Sequence, residues 1–350
     1  MRVDISISLP PGFDALQKHE KLFDALLTSL AKIEEDLADA LVYADDLAQA
    51  TTRHLLDAGG KRVRPIVTVL SSMLADENVG TGEVEEPSVY IRKVAVAMEL
   101  THLATLYHDD VMDEADQRRG VTATHQQWSN SIAILAGDLI FAKASGELAE
   151  LGTRAVKEHS VTFEKLVMGQ LWETIGPEEQ DDPLEHYLRV IDGKTASLLA
   201  SSALLGALLA GGSEELIQIA SAYGSNVGMA FQLADDIIDV TSSSDTSGKV
   251  QGTDLKERVP TLPILLLRQA ANEADAQATS ILELVDGPLE TDEQVDAAVK
   301  AVASHPVIDQ AWELTGQWAD KAVRALDGLE DSPVKTALTQ FAQYVVSREH

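Results

Sequence analysis

Apolar side chains recur at three- and four-residue spacing along most of the chain, which is the pattern of helices that bury one face. Alternating runs rich in Val, Ile and Thr are nearly absent, whereas Ala and Leu are abundant. The pattern predicts about a dozen helices, over residues 13–40, 42–58, 64–76, 86–113, 128–150, 158–175, 182–210, 214–240, 260–285, 292–304, 306–327 and 331–348. The breaks between them coincide with clusters of Gly, Pro, Ser and Asp.

None of these breaks is long enough to be an obvious linker between domains. A chain of 350 residues is also within the size range of one large domain. We therefore predict an all-α fold, with a single domain over residues 1–350 that is built from about a dozen helices. Two of the strongly apolar helices end in the same acidic pattern, so the chain contains one coarse duplication.

The chain is acidic, with 57 Asp and Glu against 27 Lys and Arg and a formal net charge of −30. This charge argues against binding to nucleic acid and against docking on an anionic membrane through basic residues. The cysteine count is 0, which excludes disulfides, zinc–thiolate sites and cysteine nucleophiles. Because we find neither a signal-peptide pattern nor an apolar run of roughly eighteen residues, we expect no transmembrane segment and a cytoplasmic location.

Two acidic motifs are the strongest candidates for chemistry. The first lies in HDDVMDEADQRRG, residues 108–120, and the two motifs comprise Asp109, Asp110 and Asp113 and then Asp235, Asp236 and Asp239. On a helix, residues four apart share a face, so the outer aspartates of each motif crowd like charges and need a counter-ion. Mg²⁺ is the simplest one, because it takes oxygen ligands and typically combines one or two carboxylates with substrate phosphate. Solvated helix ends are the alternative, but both motifs follow strongly apolar segments.

A basic segment, GGKRVRP at residues 59–65, lies between a helix stop and a helix start. Backbone N–H groups at a helix N-terminus, together with Lys61 and Arg64, are suited to bind a diphosphate. A basic surface loop is the alternative interpretation, and it is favoured when the segment is considered alone. Next to two magnesium-type motifs, the interpretation as an anion site is preferred.

Four segments in this order resemble those of the trans-isoprenyl diphosphate synthases. They are GGKRVRP (59–65), HDDVMDEADQRRG (108–120), GKTASLL (193–199) and FQLADDIIDVTSSSDTSGK (231–249). The resemblance implies an all-α bundle around a central cavity, a homodimer and three Mg²⁺ ions. It also implies the condensation of isopentenyl diphosphate with an allylic diphosphate, through ionisation, condensation and elimination, to an all-trans polyprenyl diphosphate.

The resemblance also implies roles for individual residues. The implied metal ligands are Asp109, Asp113 and Asp235, supported directly or through water by Asp110, Asp236 and Asp239. The residues implied to bind isopentenyl diphosphate are Lys61, Arg64, His102 and Arg119. Those implied to contact the allylic diphosphate or the developing cation are Arg118, Lys194, Thr195, Gln232 and Lys249. Without the resemblance, His102 would be interpreted as a hydrogen-bonded core histidine.

The chain departs from the family pattern after the second acidic motif. Many relatives have a Gly-Lys pair before Thr-Leu-Pro, and here Arg258 and Val259 stand in those two positions. Lys256 and Arg258 are therefore both candidates for the positive charge of this closing segment.

The helix before the first motif is also expected to set the depth of the cavity. At about 1.5 Å per residue, positions 105, 101 and 98 lie roughly 6, 12 and 16 Å below the motif, on nearly one face. Thr101, Ala104 and Thr105 are small, whereas relatives with short products have bulky aromatic residues just before the motif. The candidates for the cavity floor are Met98 and Phe141. We expect a product of twenty carbons or longer; the alternative is that these side chains only pack the core.

Two other interpretations stay open. A class I terpene cyclase has the same fold and one DDxxD motif, but it needs no basic segment and usually lines its pocket with aromatic residues, which make up 5% of this chain. A regulatory subunit without catalysis would typically have lost one acidic motif, and both are intact here. Incorporation of labelled isopentenyl diphosphate by the purified chain alone distinguishes these interpretations.

Overall fold

The structure, a computed structural model, describes residues 9, 12–82, 84–241 and 251–347. After a 3-10 helix at Asp14–Lys18, the α-helices of these residues are α1 Glu20–Ala40, α2 Asp46–Asp57, α3 Val63–Met73, α4 Val89–Met112, α5 Thr124–Gln127, α6 Asn130–Ala149, α7 Thr153–Ile175, α8 Pro183–Ile191, α9 Ser197–Leu209, α10 Glu214–Thr241, α11 Thr253–Lys256, α12 Leu262–Asn272, α13 Ala276–Val285, α14 Asp292–Ala303, α15 Val307–Ala325 and α16 Pro333–Ser347. Strands β1 (Gln117–Arg118) and β2 (Val121–Thr122) form one antiparallel hairpin. The predicted all-α fold class is confirmed.

Side chains that accept hydrogen bonds from the first turn explain where several helices begin. Asp45 accepts from the N–H of Ala48 at 2.8 Å, at the start of α2. Asp182 accepts from two N–H groups at the start of α8, where Pro183 occupies the first turn. Thr291 and Gln294 cap each other's backbone at the start of α14. These caps are encoded locally, and for these three helices the predicted starts at 42, 182 and 292 lie within about four residues of the observed ones.

The prediction of one helix over residues 260–285 is wrong, because two helices occupy this range. Helix α12 ends at Asn272, and Ala274 has a φ of 70°, which a continuous helix does not allow. Asp275 then accepts hydrogen bonds from Gln277 and Ala278 and begins α13. The predicted helix over 182–210 is also interrupted, by a π-helical turn at Asp192–Ala196 between α8 and α9.

The chain packs into two compact units that alternate along the sequence. The first unit comprises Met1–Glu164, Leu198–Gly224 and Ala325–Phe341, and the second comprises Lys165–Ser197, Ser225–Arg324 and Ala342–His350. The single domain over residues 1–350 stays a prediction.

In the first unit, the helix that carries the first acidic motif is held on two sides. Tyr107 of α4 is fully buried, and its hydroxyl donates to the carbonyl oxygen of Thr51 in α2 at 2.7 Å. On another side α6 approaches α4 at Gly137, where an added Cβ would lie 3.2 Å from the carbonyl oxygen of Ala104. Because a side chain at position 137 would not fit, glycine sets the close packing of α6 against α4.

In the second unit, an apolar core places the second motif next to the π-helical turn. Leu233 and Ile237 of α10 are fully buried in a cluster that includes Ile191 and Leu262. Helix α7 approaches the turn closely, since a Cβ at Gly193 would lie 2.8 Å from the carbonyl oxygen of Lys165. Within the described ranges, no helix has both the length and the hydropathy that a membrane span requires.

Candidate active site

The first acidic motif lies at the C-terminal end of α4, and its middle aspartate is the buried one. Asp110 is 0% exposed, and its Oδ1 accepts from Nε of Arg118 at 2.6 Å. Burial raises the pKa of Asp110, while the Arg118 guanidinium opposes that shift. Asp109 is half-buried and Asp113 is exposed. The two outer carboxylates of the motif are therefore more accessible to a ligand than Asp110 is.

A tight turn sends the two neighbouring arginines to different places. Arg119 and Gly120 join β1 to β2, with φ values of 54° and 77°, as the two-residue turn of a hairpin requires. Arg118 contacts Asp110 of the motif. Arg119 donates from Nη1 to the carbonyl oxygens of Leu55, at 2.9 Å, and of Gly59. One arginine therefore belongs to the acidic motif and the other to the basic segment.

The basic segment is organised by two carboxylates that sequence reasoning did not select. Arg62 has a φ of 50° and forms ion pairs with Glu34 at 2.5 Å and with Glu99 at 3.1 Å. Glu99, on α4, is 2% exposed and also lies 3.9 Å from Nη2 of Arg119. Gly60 leaves room for these guanidinium groups, because a Cβ at this position would lie 3.1 Å from Cζ of Arg119.

The region around Glu99 has the electrostatics of an anion site. Burial lowers the pKa of Arg64 to about 10, an effect that Glu99 opposes and Arg119 reinforces. Among the described residues, the buried Nε of Arg64 has no hydrogen-bond partner. Burial and then the neighbouring arginines, Arg64 first, lower the pKa of His102 well below its ordinary value. His102 is therefore neutral at pH 7, and a diphosphate would satisfy the surrounding guanidinium groups.

Burial separates the residues predicted to set the product length into two groups. Met98, Thr101 and Ala104 are each 0% exposed, which agrees with the alternative that they pack the core. Thr105 is half-buried and shares an accessible face of α4 with Asp109, four residues later. Phe141 of α6 packs its ring 5.6 Å from that of His108 and 4.8 Å from that of Phe163.

In the second unit, the second motif lies near the end of α10. Asp236 is 5% exposed, whereas Asp235 and Asp239 are half-buried. Oδ2 of Asp239 accepts from the N–H of Asp254 at 3.2 Å, at the start of α11. Lys194, in the π-helical turn, forms an ion pair with Glu173 at 2.5 Å. Single-turn π-helical segments inside longer helices are frequent at functional sites.

Four side chains of the second unit form a continuous hydrogen-bonded row. Thr195 donates from Oγ1 to Oε1 of Gln232 at 3.0 Å, and Nε2 of Gln232 donates to Oδ1 of Asp236 at 2.8 Å. Tyr187 donates from its hydroxyl to Oδ2 of Asp236. Burial raises the pKa of Asp236, and burial followed by the Asp236 charge raises the pKa of Tyr187 well above its ordinary value. Tyr187 therefore keeps its proton and remains the donor.

The three aspartates predicted to support the metal ligands share one property, since each accepts a hydrogen bond from a protein group. They are Asp110, Asp236 and Asp239. Within the part of the chain that the structure describes, no group of three or more His, Cys, Asp or Glu side chains could by itself hold a metal ion. Mg²⁺ typically binds through one or two carboxylates and completes its shell with water and phosphate. The carboxylates of Asp109 and Asp113 in the first unit, and that of Asp235 in the second, are hard oxygen donors of the kind that Mg²⁺ takes.

Two predictions concern the segment after the second motif. Lys249 lies outside the described residues. Arg258 has a φ of 63°, and its guanidinium donates to the carbonyl oxygens of Val285 and Gly287, each at 2.6 Å. Arg258 is therefore engaged at the end of α13, whereas Lys256 is exposed.

Three organising residues were not predicted from the sequence, namely Glu34, Glu99 and Tyr187. A glutamate inside the apolar run VAMELTHL could have drawn attention to Glu99, since a buried charge needs partners. Arg62 was within the selected basic segment, but nothing in the sequence pointed to its partner Glu34. Tyr187 precedes Asp236 by 49 positions, and no sequence pattern connects the two.

Comparison with known proteins gives consistent matches over nearly the whole chain. The polyprenyl synthetase family matches residues 45–302. A nonaprenyl diphosphate synthase of Mycobacterium tuberculosis is 40% identical over 324 residues, which cover 93% of this chain and 93% of that protein.

Two solved structures extend the similarity to the fold. A polyprenyl synthase of Caulobacter crescentus, complexed with calcium and isoprenyl diphosphate, is 29% identical with a TM-score of 0.83, and the match covers 94% of this chain and 98% of that one. A geranylgeranyl pyrophosphate synthase of Corynebacterium glutamicum, in a complex with the same two components, is 40% identical with a TM-score of 0.79, and the match covers 93% and 97% of the two chains.

Proposed function

Because the chain belongs to the polyprenyl synthetase family, we propose that it condenses isopentenyl diphosphate with an allylic diphosphate and releases diphosphate. The observation that carries this proposal is the division of the two neighbouring arginines. Arg118 contacts the first acidic motif and Arg119 contacts the basic segment. Such an arrangement suits a reaction in which two diphosphate groups must be bound separately and at the same time.

The proposed cofactor is Mg²⁺, with three ions per site. Asp109, Asp113 and Asp235 would hold these ions, and the supporting aspartates would be Asp110, Asp236 and Asp239. When bound, Mg²⁺ neutralises the negative charge that develops on the departing diphosphate. The calcium in the solved relatives supports the use of a divalent ion by this family.

In the proposed reaction the protein binds the two substrates through different side chains. Arg118 and Lys194 bind the allylic diphosphate and stabilise its charge as the carbon–oxygen bond breaks. The arginines around Glu99 and the neighbouring His102 bind isopentenyl diphosphate.

The allylic cation requires oxygen atoms that stabilise it without reacting with it. Thr195 and Gln232 supply such oxygens, and their positions are fixed by the hydrogen bond between them. The double bond of isopentenyl diphosphate then attacks the cation. The released diphosphate removes the final proton, which restores a double bond. Exclusion of water is necessary because water would quench the cation.

We further propose a product of twenty carbons or longer. The small and half-buried Thr105 supports this length, as does the similarity to a nonaprenyl diphosphate synthase. A homodimer and a cytoplasmic location are also part of the proposal. The apolar face of α6 supports the dimer, since Ile134, Leu135 and Leu139 are 42%, 58% and 37% exposed.

The proposed function is tested with the purified chain, Mg²⁺, an allylic primer and labelled isopentenyl diphosphate. Asp109→Ala and Asp235→Ala are expected to abolish incorporation while leaving the helical circular dichroism spectrum unchanged. Asp24→Ala is the matched control, because Asp24 is an exposed aspartate of α1. Unchanged activity in either motif variant would contradict the metal assignment, and an inactive wild-type chain would contradict the proposed function itself.

A further inference from the structure

Tyr187 is the member of the hydrogen-bonded row that lies outside every motif. It belongs to α8, and its ring packs against the apolar core of the second unit. Its hydroxyl donates to Oδ2 of Asp236, whose Oδ1 is occupied by Gln232 at 2.8 Å. Both oxygens of this buried carboxylate therefore accept from the protein, and Tyr187 contributes one of the two donors.

The carboxylate of Asp236 determines which way the amide of Gln232 points. Both of its oxygens accept hydrogen bonds in the observed row, one from the Tyr187 hydroxyl and one from the NH₂ group of Gln232, so the amide presents its NH₂ end to Asp236. The carbonyl oxygen of Gln232 must then face Thr195, and the Thr195 hydroxyl must act as the donor in that 3.0 Å bond. The remaining lone pairs of the Thr195 oxygen are not used in this bond. They are the electrons that can stabilise a cation.

We propose that Tyr187 is a positioning residue, which orients the oxygens of Gln232 and Thr195 toward the allylic cation by holding Asp236 in place. The inference rests on the proposed function, because Thr195 and Gln232 face a cation only in that reaction. Without the Tyr187 hydroxyl, one oxygen of a buried carboxylate loses its donor. The carboxylate then rotates toward another donor, and the orientation of the Gln232 amide is no longer fixed.

The test is Tyr187→Phe, which removes the hydroxyl and keeps the ring in the core. We expect kcat to fall roughly tenfold, because the lost interaction acts on the ionising transition state, and KM for isopentenyl diphosphate to stay within about twofold. Tyr223→Phe is the matched control. Tyr223 is also fully buried and donates its hydroxyl to a carbonyl oxygen, that of Leu338, at 2.8 Å, so its loss should leave kcat unchanged.

A double-mutant cycle separates positioning from general destabilisation. If Tyr187 acts through Thr195, then Tyr187→Phe should have little further effect on kcat in a Thr195→Val background. Additive losses, or an unchanged kcat in Tyr187→Phe, would overturn the inference. Suppose that Tyr187→Phe and Tyr223→Phe lower the melting temperature by the same amount. If only Tyr187→Phe also lowers kcat, a merely structural role of Tyr187 is ruled out. Failure of the proposed function would instead appear as an inactive wild-type chain.

Discussion

Replacing Glu99 by Gln is the perturbation whose consequences the structure defines most fully. Glu99 is 2% exposed on α4, with Arg62 at 3.1 Å and Arg119 at 3.9 Å. The substitution keeps the size of the side chain and removes its charge. The positive charges of Arg62, Arg64 and Arg119 then lie together without the charge of Glu99. Glu34 remains and pairs with Arg62.

The magnitude follows from the two distances. With an effective dielectric constant of about 20, charges separated by 3.1 and 3.9 Å attract by about 5 and 4 kcal/mol. The cost of removing the Glu99 carboxylate from water offsets much of this attraction. Removal of one partner from a buried ion pair costs about 3–5 kcal/mol in measured cases. Since Arg62 keeps Glu34, we expect the free energy of unfolding to fall by about 3 kcal/mol, which lowers the melting temperature by roughly 4 °C.

The assay is thermal unfolding in the absence and presence of saturating inorganic diphosphate. The anion supplies the negative charge that the variant lacks, so the difference in melting temperature between wild type and Glu99→Gln should shrink when diphosphate is added. Glu214→Gln is the matched control, because Glu214 pairs with Arg154 at the surface, with side-chain exposures of 67% and 46%. That control should show no measurable change. If Glu99→Gln melts like Glu214→Gln, Glu99 does not organise these arginines.

Three further predictions test other parts of the account. Arg118→Lys should raise KM for the allylic diphosphate roughly tenfold, and Arg119→Lys should raise KM for isopentenyl diphosphate by a similar factor. An equal effect of both variants on the KM of one substrate would contradict the assignment of the two arginines to different diphosphates. Burial lowers the pKa of His159 to about 4, so between pH 6.5 and 4 the unfolded chain binds a proton that the folded chain does not. The free energy of unfolding therefore decreases as the pH is lowered through this range. Between pH 6.5 and 5 this histidine accounts for a loss of about 2 kcal/mol, which should be absent in His159→Phe when urea unfolding is measured at these two pH values. An unchanged pH dependence of the variant would refute this. Thr105→Phe should shorten the products and Phe141→Ala should lengthen them, and product chromatography without a shift in either variant would reject these positions as determinants.

Local signals in the sequence predicted several helices because nearby side chains cap their first turns. Asp45 and Asp182 accept hydrogen bonds within three residues of their own positions. The division between α12 and α13 was missed because Ala274 carries the break, in place of a Gly or Pro. Ala270, Ala271, Ala274 and Ala276 surround the break and favour helix, and Asp275 is the cap that begins α13.

The chemistry of the site was predictable where it depends on residue type and spacing, and unpredictable where it depends on tertiary contacts. The spacing of Arg118 and Arg119 identified two adjacent cations, but the hairpin turn decides that they reach different groups. Tyr187 and Glu99 act through partners distant in the chain, so only the fold connects them to the site. Burial likewise distinguishes Thr105 from Met98, although both are small or apolar residues of one helix.

The measurement that tests the central claim most directly is product analysis after incubation of the purified chain with Mg²⁺ and labelled isopentenyl diphosphate. Primers of five, ten, fifteen and twenty carbons are supplied separately, and the products are dephosphorylated and separated by chromatography. We expect labelled all-trans alcohols of twenty carbons or longer from the chain without any partner. Absence of label in extended products with every primer would contradict it, and accumulation of only the fifteen-carbon product would contradict the proposed length.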